Sequence, residues 1–372
     1  MEHWGIIFIP LHACFRTTKL FILSPYLLHQ PGPFLLIMNK YLYFLSLLLL
    51  TSCEEVFFQP EPENNPEAVF ENVWTVFNED YGPTNERHIN WDDLYATYRP
   101  QVNANTTDDE LWSVCTSMLA HLNDGHVNII SPGREQFNSN FLRNNEIGDS
   151  LFNLDNIKNS YLEPGFTAED SNAYVYGKMK NENIGYIYFD YVGDNFFILN
   201  DFLDQNLNSD GIIIDLRHNQ GGDFTYCYSE SGRLTNERRL AFSSRTKNGP
   251  GPDDFTDWYD WYFEPSGTYF DKPIIVMTDR YTISAGERTV MAFRTLPNVT
   301  TLGDTTSGAM ATLVGRELAN GWYCTLPIQN TLLPDGQTYE GIGLPPQIRF
   351  VNNIDDVRQG KDKTLEKAID EL

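Results

Sequence analysis

Apolar positions follow two regimes along this chain. In the first, Ala68, Phe70, Val73, Trp74 and Phe77 recur at the spacing of an amphipathic helix. Trp91, Leu94, Tyr95 and Tyr98 predict a second, short helix. Thr107-Asp108-Asp109-Glu110 opens a third, with a polar N-cap, an acidic first turn and an apolar face of Leu111, Val114, Cys115, Met118 and Leu119. Asp124-Gly125 is a turn dipeptide, and Val127 to Ile130 reads as a strand. Residues 132–175 are polar, loop-rich and without period. The second regime follows. Ala173 to Lys180, Ile184 to Tyr191, Gly211 to Leu216, Pro273 to Thr278 and Val299 to Leu302 read as strands. Helical patterns at Phe196 to Leu207 and Arg288 to Leu296 lie between them. Ala311–Leu318, Trp322–Leu326 and Gln329–Leu333 read as a β-meander, and a helix from about Lys363 closes the chain. Strands alternating with helices after residue 184 predict an α/β domain behind an N-terminal helical subdomain. The aromatic stretch Trp258 to Phe263 is expected to cover the sheet rather than to line a ligand pocket.

The first 66 residues follow neither regime. Met38-Asn39-Lys40 and the apolar run Tyr41 to Leu50 form a signal-peptide n-region and h-region. Ten apolar residues are too few to span a bilayer. Leu50-Thr51-Ser52-Cys53 then matches a bacterial lipobox, which makes Cys53 the expected lipid attachment point. Residues 1–37 precede this complete leader, so translation is expected to start at Met38. The reading of the chain is therefore an upstream mis-start (1–37), a lipoprotein signal peptide (38–52), a proline-rich acidic tether (53–66), a helical subdomain (67–133), a connecting segment (134–183), a catalytic domain (184–350) and a C-terminal helix (351–372). From Cys53 onward there are 23 basic and 50 acidic side chains, a net charge of −27. Such a charge argues against nucleic-acid partners and against attraction to anionic membrane surfaces, so attachment to the membrane would come from the lipid. Cys115, Cys227 and Cys324 make no disulfide framework.

The candidate chemistry centres on Thr282-Ile283-Ser284-Ala285-Gly286-Glu287, where a strand hands over to a helix. A serine there sits at the positive end of a helix dipole, with the following N–H groups free to meet an anion. Ser284 with Glu287 also satisfies the pattern of a capping box, so the residue types alone leave a nucleophile and a plain helix cap both open. A serine hydrolase further needs a base, an orienting group and an oxyanion hole. The Ala285 N–H and the main chain of Gly221-Gly222, just past the Gly211–Leu216 strand, are candidates for the hole. His126, at a helix–strand junction, is a candidate base, with Glu340 or Asp124 to orient it. His121 lies on the helix; it and His126 lack the four-residue spacing of a zinc pair, and no metal or organic cofactor is expected.

Four stretches occur in order: Asp215-Leu216-Arg217-His218-Asn219-Gln220-Gly221-Gly222, Thr282 to Glu287, Gly303-Asp304-Thr305-Thr306-Ser307-Gly308, and Glu340-Gly341-Ile342-Gly343-Leu344-Pro345-Pro346. Together they resemble the tail-specific (C-terminal processing) serine peptidases. Trp74, Tyr81, Trp91 and Leu119 to His126 resemble the tricorn-core branch of that family. The resemblance implies a crotonase/ClpP-like spiral α/β fold and a nucleophile at Ser284. It implies a Ser–His mechanism with His126 as base, because the lysine of the processing-protease branch falls on Ala309. The tricorn branch places a serine before this histidine, and here the residue is Gly125. The spacing from His126 to Ile184 is too short for the PDZ domain of the processing proteases. The chain therefore reads as a lipid-anchored peptidase of the bacterial envelope acting on peptides or unfolded proteins. A non-catalytic ligand-binding lipoprotein on the same fold is the alternative.

Overall fold

The computed structural model describes residues 63–140 and 151–372. The expected leader, Cys53 and most of the tether lie outside the described residues. Among the described residues, no helix is long and apolar enough to cross a membrane.

Helix α1 (Pro66–Asp80) is capped by Asn65, whose side chain accepts the Ala68 N–H at 2.9 Å, and Pro66 sits in the first turn where no amide hydrogen is required. Helix α2 (Trp91–Tyr98) is capped by Asn90. Helix α3 (Asp108–Ala120) carries the reciprocal Thr107–Glu110 capping box. Strands β1 (Asn128–Ile130), β2 (Phe137–Asn138), β3 (Thr167–Ala168), β4 (Tyr174–Lys178) and β5 (Ile184–Phe189) follow, then α4 (Ile198–Gln205), β6 (Gly211–Asp215) and α5 (Phe224–Glu230). Next come β7 (Arg239–Thr246), β8 (Tyr259–Phe263), β9 (Ile274–Thr278), α6 (Ala285–Phe293) and β10 (Val299–Gly303). The chain ends with β11 (Leu313–Glu317), β12 (Tyr323–Pro327), β13 (Gln329–Leu332), β14 (Ile348–Arg349), α7 (Ile354–Arg358) and α8 (Lys363–Asp370).

The main sheet has the order β14-β10-β9-β6-β5-β4-β3. Its five strands β14 to β5 are parallel, and β4 and β3 are antiparallel additions at one edge. Parallel strands need both faces covered. Alternate residues accordingly feed two cores. Ile187, Ile212, Ile214 and Val276 face α4 and α6, while Tyr186, Ile213, Ile275 and Met277 face α8. This is the α/β architecture that the alternating pattern implies.

Helices α1–α3 do not close their own core. Phe70, Phe77, Cys115 and Met118 share it with Leu318, Trp322, Cys324 and Leu326, which lie about 200 residues further on. Cys324 and Leu326 belong to a second sheet, β11-β12-β1-β2, with Leu318 and Trp322 in the connection between β11 and β12, and β1 pairs antiparallel with β12 through Ile129 and Cys324. The expected meander is thus corrected. Residues 313–327 form a hairpin, but β13 leaves it and pairs with β7 in a third sheet, β13-β7-β8. The chain turns away at Pro327, whose carbonyl is taken by the Gly82 N–H at 2.9 Å. The aromatic stretch contributes to β8, where Trp261 packs on Phe224 and Phe242 while Trp258 and Tyr259 stay exposed. Residues 132–175, loop-like by pattern, hold β2, β3, part of β4 and a helical turn at Leu154–Asn156.

One buried charge ties the C-terminus to the sheet. Arg217, 3% exposed, reaches Asp215 at the end of β6 at 2.6 Å and Asp362, the N-cap of α8, at 2.9 Å. Removing one partner of such a group leaves uncompensated charge in the interior. Arg217→Met should therefore lower the unfolding free energy by about 3–5 kcal/mol, measured as a drop in the urea midpoint; an unchanged midpoint would contradict this.

Candidate active site

Ser284 stands between β9 and α6 with φ 58° and ψ −119°, a conformation that non-glycine residues rarely adopt. Such strain costs about 1–3 kcal/mol and persists only where the surroundings enforce it. They do so here. The Ser284 N–H is held by the Ala309 carbonyl at 3.1 Å and by the Glu287 carboxylate at 3.2 Å. Asn219 takes the Ile283 N–H at 3.1 Å. Asp279 gathers the N–H groups of His218, Tyr281 and Thr282 at 3.0, 2.9 and 3.1 Å, fixing the loop that leads to Ser284. A serine on a strained strand-to-helix turn presents its hydroxyl to a cleft, the device also used by α/β-hydrolases.

Glu287 does more than cap the helix. It is fully buried, and it accepts the Gly308 N–H at 2.8 Å, the Ala309 N–H at 2.9 Å and the Thr306 hydroxyl. Burial pushes its carboxyl above the usual range, against the pull of these donors. One side chain thus joins the serine turn to the turn at 306–309.

Gly221 lies against Ser284. A Cβ added there would fall 2.7 Å from Ser284 Cβ and 3.3 Å from its Oγ, and the residue has φ 81°. Only glycine meets both demands. Its N–H, however, is bonded to the Asn219 side chain at 3.0 Å. The neighbouring Gly222 is exposed, with φ 134°. Ala285 is the first residue of α6, where the N–H has no partner within the helix.

His126 comes from the other end of the chain. Its turn meets the serine turn directly, since a Cβ at Gly125 would lie 2.6 Å from Ile283 Cδ1 and 3.7 Å from Ala309 Cβ. The ring is 4% exposed, and neither nitrogen has a hydrogen-bond partner among the described residues. Burial, helped by Arg87 and Arg288, pushes the imidazole down to about 4 against the opposing field of Asp124.

The expected orienting carboxylates lie nearby but bond elsewhere. Asp124 accepts the His126 backbone N–H at 2.9 Å and the Tyr81 hydroxyl at 2.8 Å. Glu340, 1% exposed, accepts the Met310 N–H at 2.9 Å and Arg87 Nη2 at 2.7 Å. Burial, with Asp124 adding and Arg87 opposing, pushes Glu340 up to about 7. Arg87 and Tyr81, which hold these carboxylates, were not among the site residues inferred from sequence. An isolated arginine in a loop carries no motif, and its role follows only from the fold. His218, the other histidine near the sheet's edge, sits 2.6 Å from Asp279 and between the Phe152 and Tyr281 rings, lining a separate cavity of about 40 Å³.

A profile of peptidase family S41 matches residues 183–350. Those residues are a family S41 peptidase domain. A profile of the tricorn protease C1 domain matches residues 62–120, ahead of the S41 domain. The carboxy-terminal processing protease CtpA of Bacillus subtilis (strain 168) is 26% identical over 178 residues, which are 47% of this chain and 36% of that protein. The chain thus aligns with little more than a third of that relative's length. A crystal structure from Parabacteroides merdae ATCC 43184 is similar with a TM-score of 0.75 and 29% identity, covering 83% of this chain and 96% of that one. Mature CPAF shares the fold at a TM-score of 0.63 and 10% identity, over 82% of this chain and 95% of its own.

The S41 domain's serine turn depends on both oxygens of Glu287 accepting hydrogen bonds. In Glu287→Gln an amide N–H₂ must face main-chain N–H groups, at about 1–3 kcal/mol for each buried group left unpaired. The variant should melt several degrees lower in calorimetry and lose most of its labelling by a serine-directed phosphonate; wild-type labelling would contradict this role.

Proposed function

We propose that this protein is a lipid-anchored serine peptidase of the bacterial envelope, attached through Cys53 and acting on peptides or unfolded proteins. The observation that carries the reading is the strained Ser284 at the start of α6 with the Gly221 main chain against its side chain. Ser284 Oγ attacks the peptide carbonyl while His126, kept neutral by burial, accepts its proton. The Ala285 N–H and the Gly221-Gly222 main chain receive the oxyanion, with Gly222 the better donor because Asn219 occupies the Gly221 N–H. His126 then protonates the leaving amine, and water hydrolyses the acyl-enzyme by the reverse sequence. Glu340, as a carboxylate, balances the charge that forms on His126. The base lies just before a strand of one sheet and the nucleophile beyond a strand of another, so substrate binding is the step that brings the imidazole into line with Ser284.

The unbonded His126 ring is the one observation favouring the non-catalytic lipoprotein. Phosphonate labelling decides between the two. A peptidase labels at Ser284 and a binder does not label. In digestion of a peptide library, Ser284→Ala and His126→Ala should each lower kcat/KM by about 10⁴-fold or more. Growth in labelled fatty acid should mark the protein, and Cys53→Ala should abolish the mark.

The pH profile separates the roles of His126 and Glu340. With His126 down near 4, its neutral form persists well below pH 6. Glu340, raised to about 7, loses its charge as pH falls through that value. The acid limb of kcat/KM should therefore lie near pH 7, and Glu340→Gln should remove it while lowering the plateau. A wild-type limb near 4 would assign the titration to His126 alone.

A further inference from the structure

We infer that Arg87 is a positioning residue that locks the His126 turn onto the Ser284 turn and holds Glu340 in its charged form. This deepens the peptidase reading and rests on it. Arg87 belongs to the loop between α1 and α2 and is 5% exposed. Its guanidinium reaches both halves of the site. On the histidine side, Nη1 donates to the Asn123 carbonyl at 2.6 Å and Nε stands 3.1 Å from Asp124 Oδ2. Asn123 and Asp124 are the residues of the turn that leads into Gly125 and His126. On the serine side, Nη2 donates to the Gly308 carbonyl at 2.6 Å and to Glu340 Oε1 at 2.7 Å. Gly308 precedes Ala309, whose carbonyl holds the Ser284 N–H. A planar fork can serve both sides at once, whereas a lysine ammonium is a single point of charge. The main chain makes room for it, since Gly341 has φ 77° and a Cβ there would lie 3.2 Å from Arg87 Cγ.

The charges around it explain why the position needs a cation. Asp124, Glu340 and Glu287 are all buried within this part of the site, with Tyr81 and His126 beside them. Arg288 is a second buried cation whose charge acts on His126, but its nitrogens are bonded to the Met310 carbonyl, Thr312 and Gln329. Without Arg87, Asp124 and Glu340 face each other uncompensated, and one of them takes up a proton.

The test compares wild type, Arg87→Met and Arg87→Lys by kcat/KM and by the rate of phosphonate labelling at Ser284, each across pH. Loss of the cation should move the acid limb of both profiles upward by about 1 pH unit or more in Arg87→Met. The shift should be smaller in Arg87→Lys, with the plateau partly restored. A purely structural arginine would lower the plateau or the melting temperature and leave the limb where it was. If Arg87→Met does not fold, the limb of Arg87→Lys decides. A limb unmoved from wild type in the folded variants overturns the inference. If the wild type itself neither cleaves nor labels at Ser284, the peptidase reading has failed instead.

Discussion

The placement of the site depends on the pairing of three residues. Asn128, Ile129 and Ile130 lie opposite Thr325, Cys324 and Tyr323 in an antiparallel ladder. This register fixes where the chain segment just before it, Gly125-His126, must lie. Thr325 reinforces it by donating its hydroxyl to the His126 carbonyl at 2.7 Å. A one-residue slip would turn every side chain of β1 to the other face and take Ile129 out of the core. The pairing is short, and it is stabilised mainly by what lies on it. Phe70, Met118, Trp322 and Leu326 bury the sheet's inner face, and Trp112 meets Trp322 edge to face at 5.2 Å. Folding of the N-terminal helices and assembly of the site are therefore one event.

Around this frame the protein concentrates buried charge. Asp124, Glu287 and Glu340 are desolvated, and each is satisfied by donors from distant parts of the chain. Buried ionic groups seldom add net stability, but leaving one partner alone is costly. The arrangement works as a set of constraints. Glu287 couples the serine turn to residues 306–309, and Arg87 couples those residues to the histidine turn. The strain at Ser284 is sustained by these bonds, since a relaxed serine turn would have to break with both Ala309 and Glu287.

Much of this was legible in the sequence, and the reason differs from residue to residue. The parallel strands read as unbroken apolar runs because both of their faces are buried. Helices α1 and α3 announced themselves through spacing, and α3 also through its cap. Gly221, Gly222 and Ser284 were visible because glycine and a strand-to-helix serine are local signals. Tyr81 stood out only as part of a resemblance and Arg87 not at all, because their roles arise from contacts spanning 43 and 253 positions. The third strand of the supposed meander failed for a similar reason. The pattern of Gln329 to Leu332 specifies a strand, but only the exit at Pro327 and the presence of β7 specify which sheet it joins. Likewise Glu287 looked like a cap and is one, but its burial and its three further donors belong to the tertiary structure.

The residue facing Gly125 bears on the choice of base. Ala309 is 1% exposed, and its Cβ would stand 3.7 Å from a side chain begun at Gly125. The lysine of the processing-protease branch, by resemblance, would start from Ala309. In this chain that lysine would have to place three extra methylenes and an ammonium in a closely packed interior beside the turn that holds Gly125. A serine before the histidine would bring its Cβ within 2.6 Å of Ile283 Cδ1, so the tip of that side chain would have to shift. Small residues at 125 and 309 are thus parts of one packing solution. They let the histidine turn approach the serine turn closely. Between His126 and Glu340 stand Asp124, which accepts the His126 backbone N–H, and Arg87, which meets both Asp124 and Glu340.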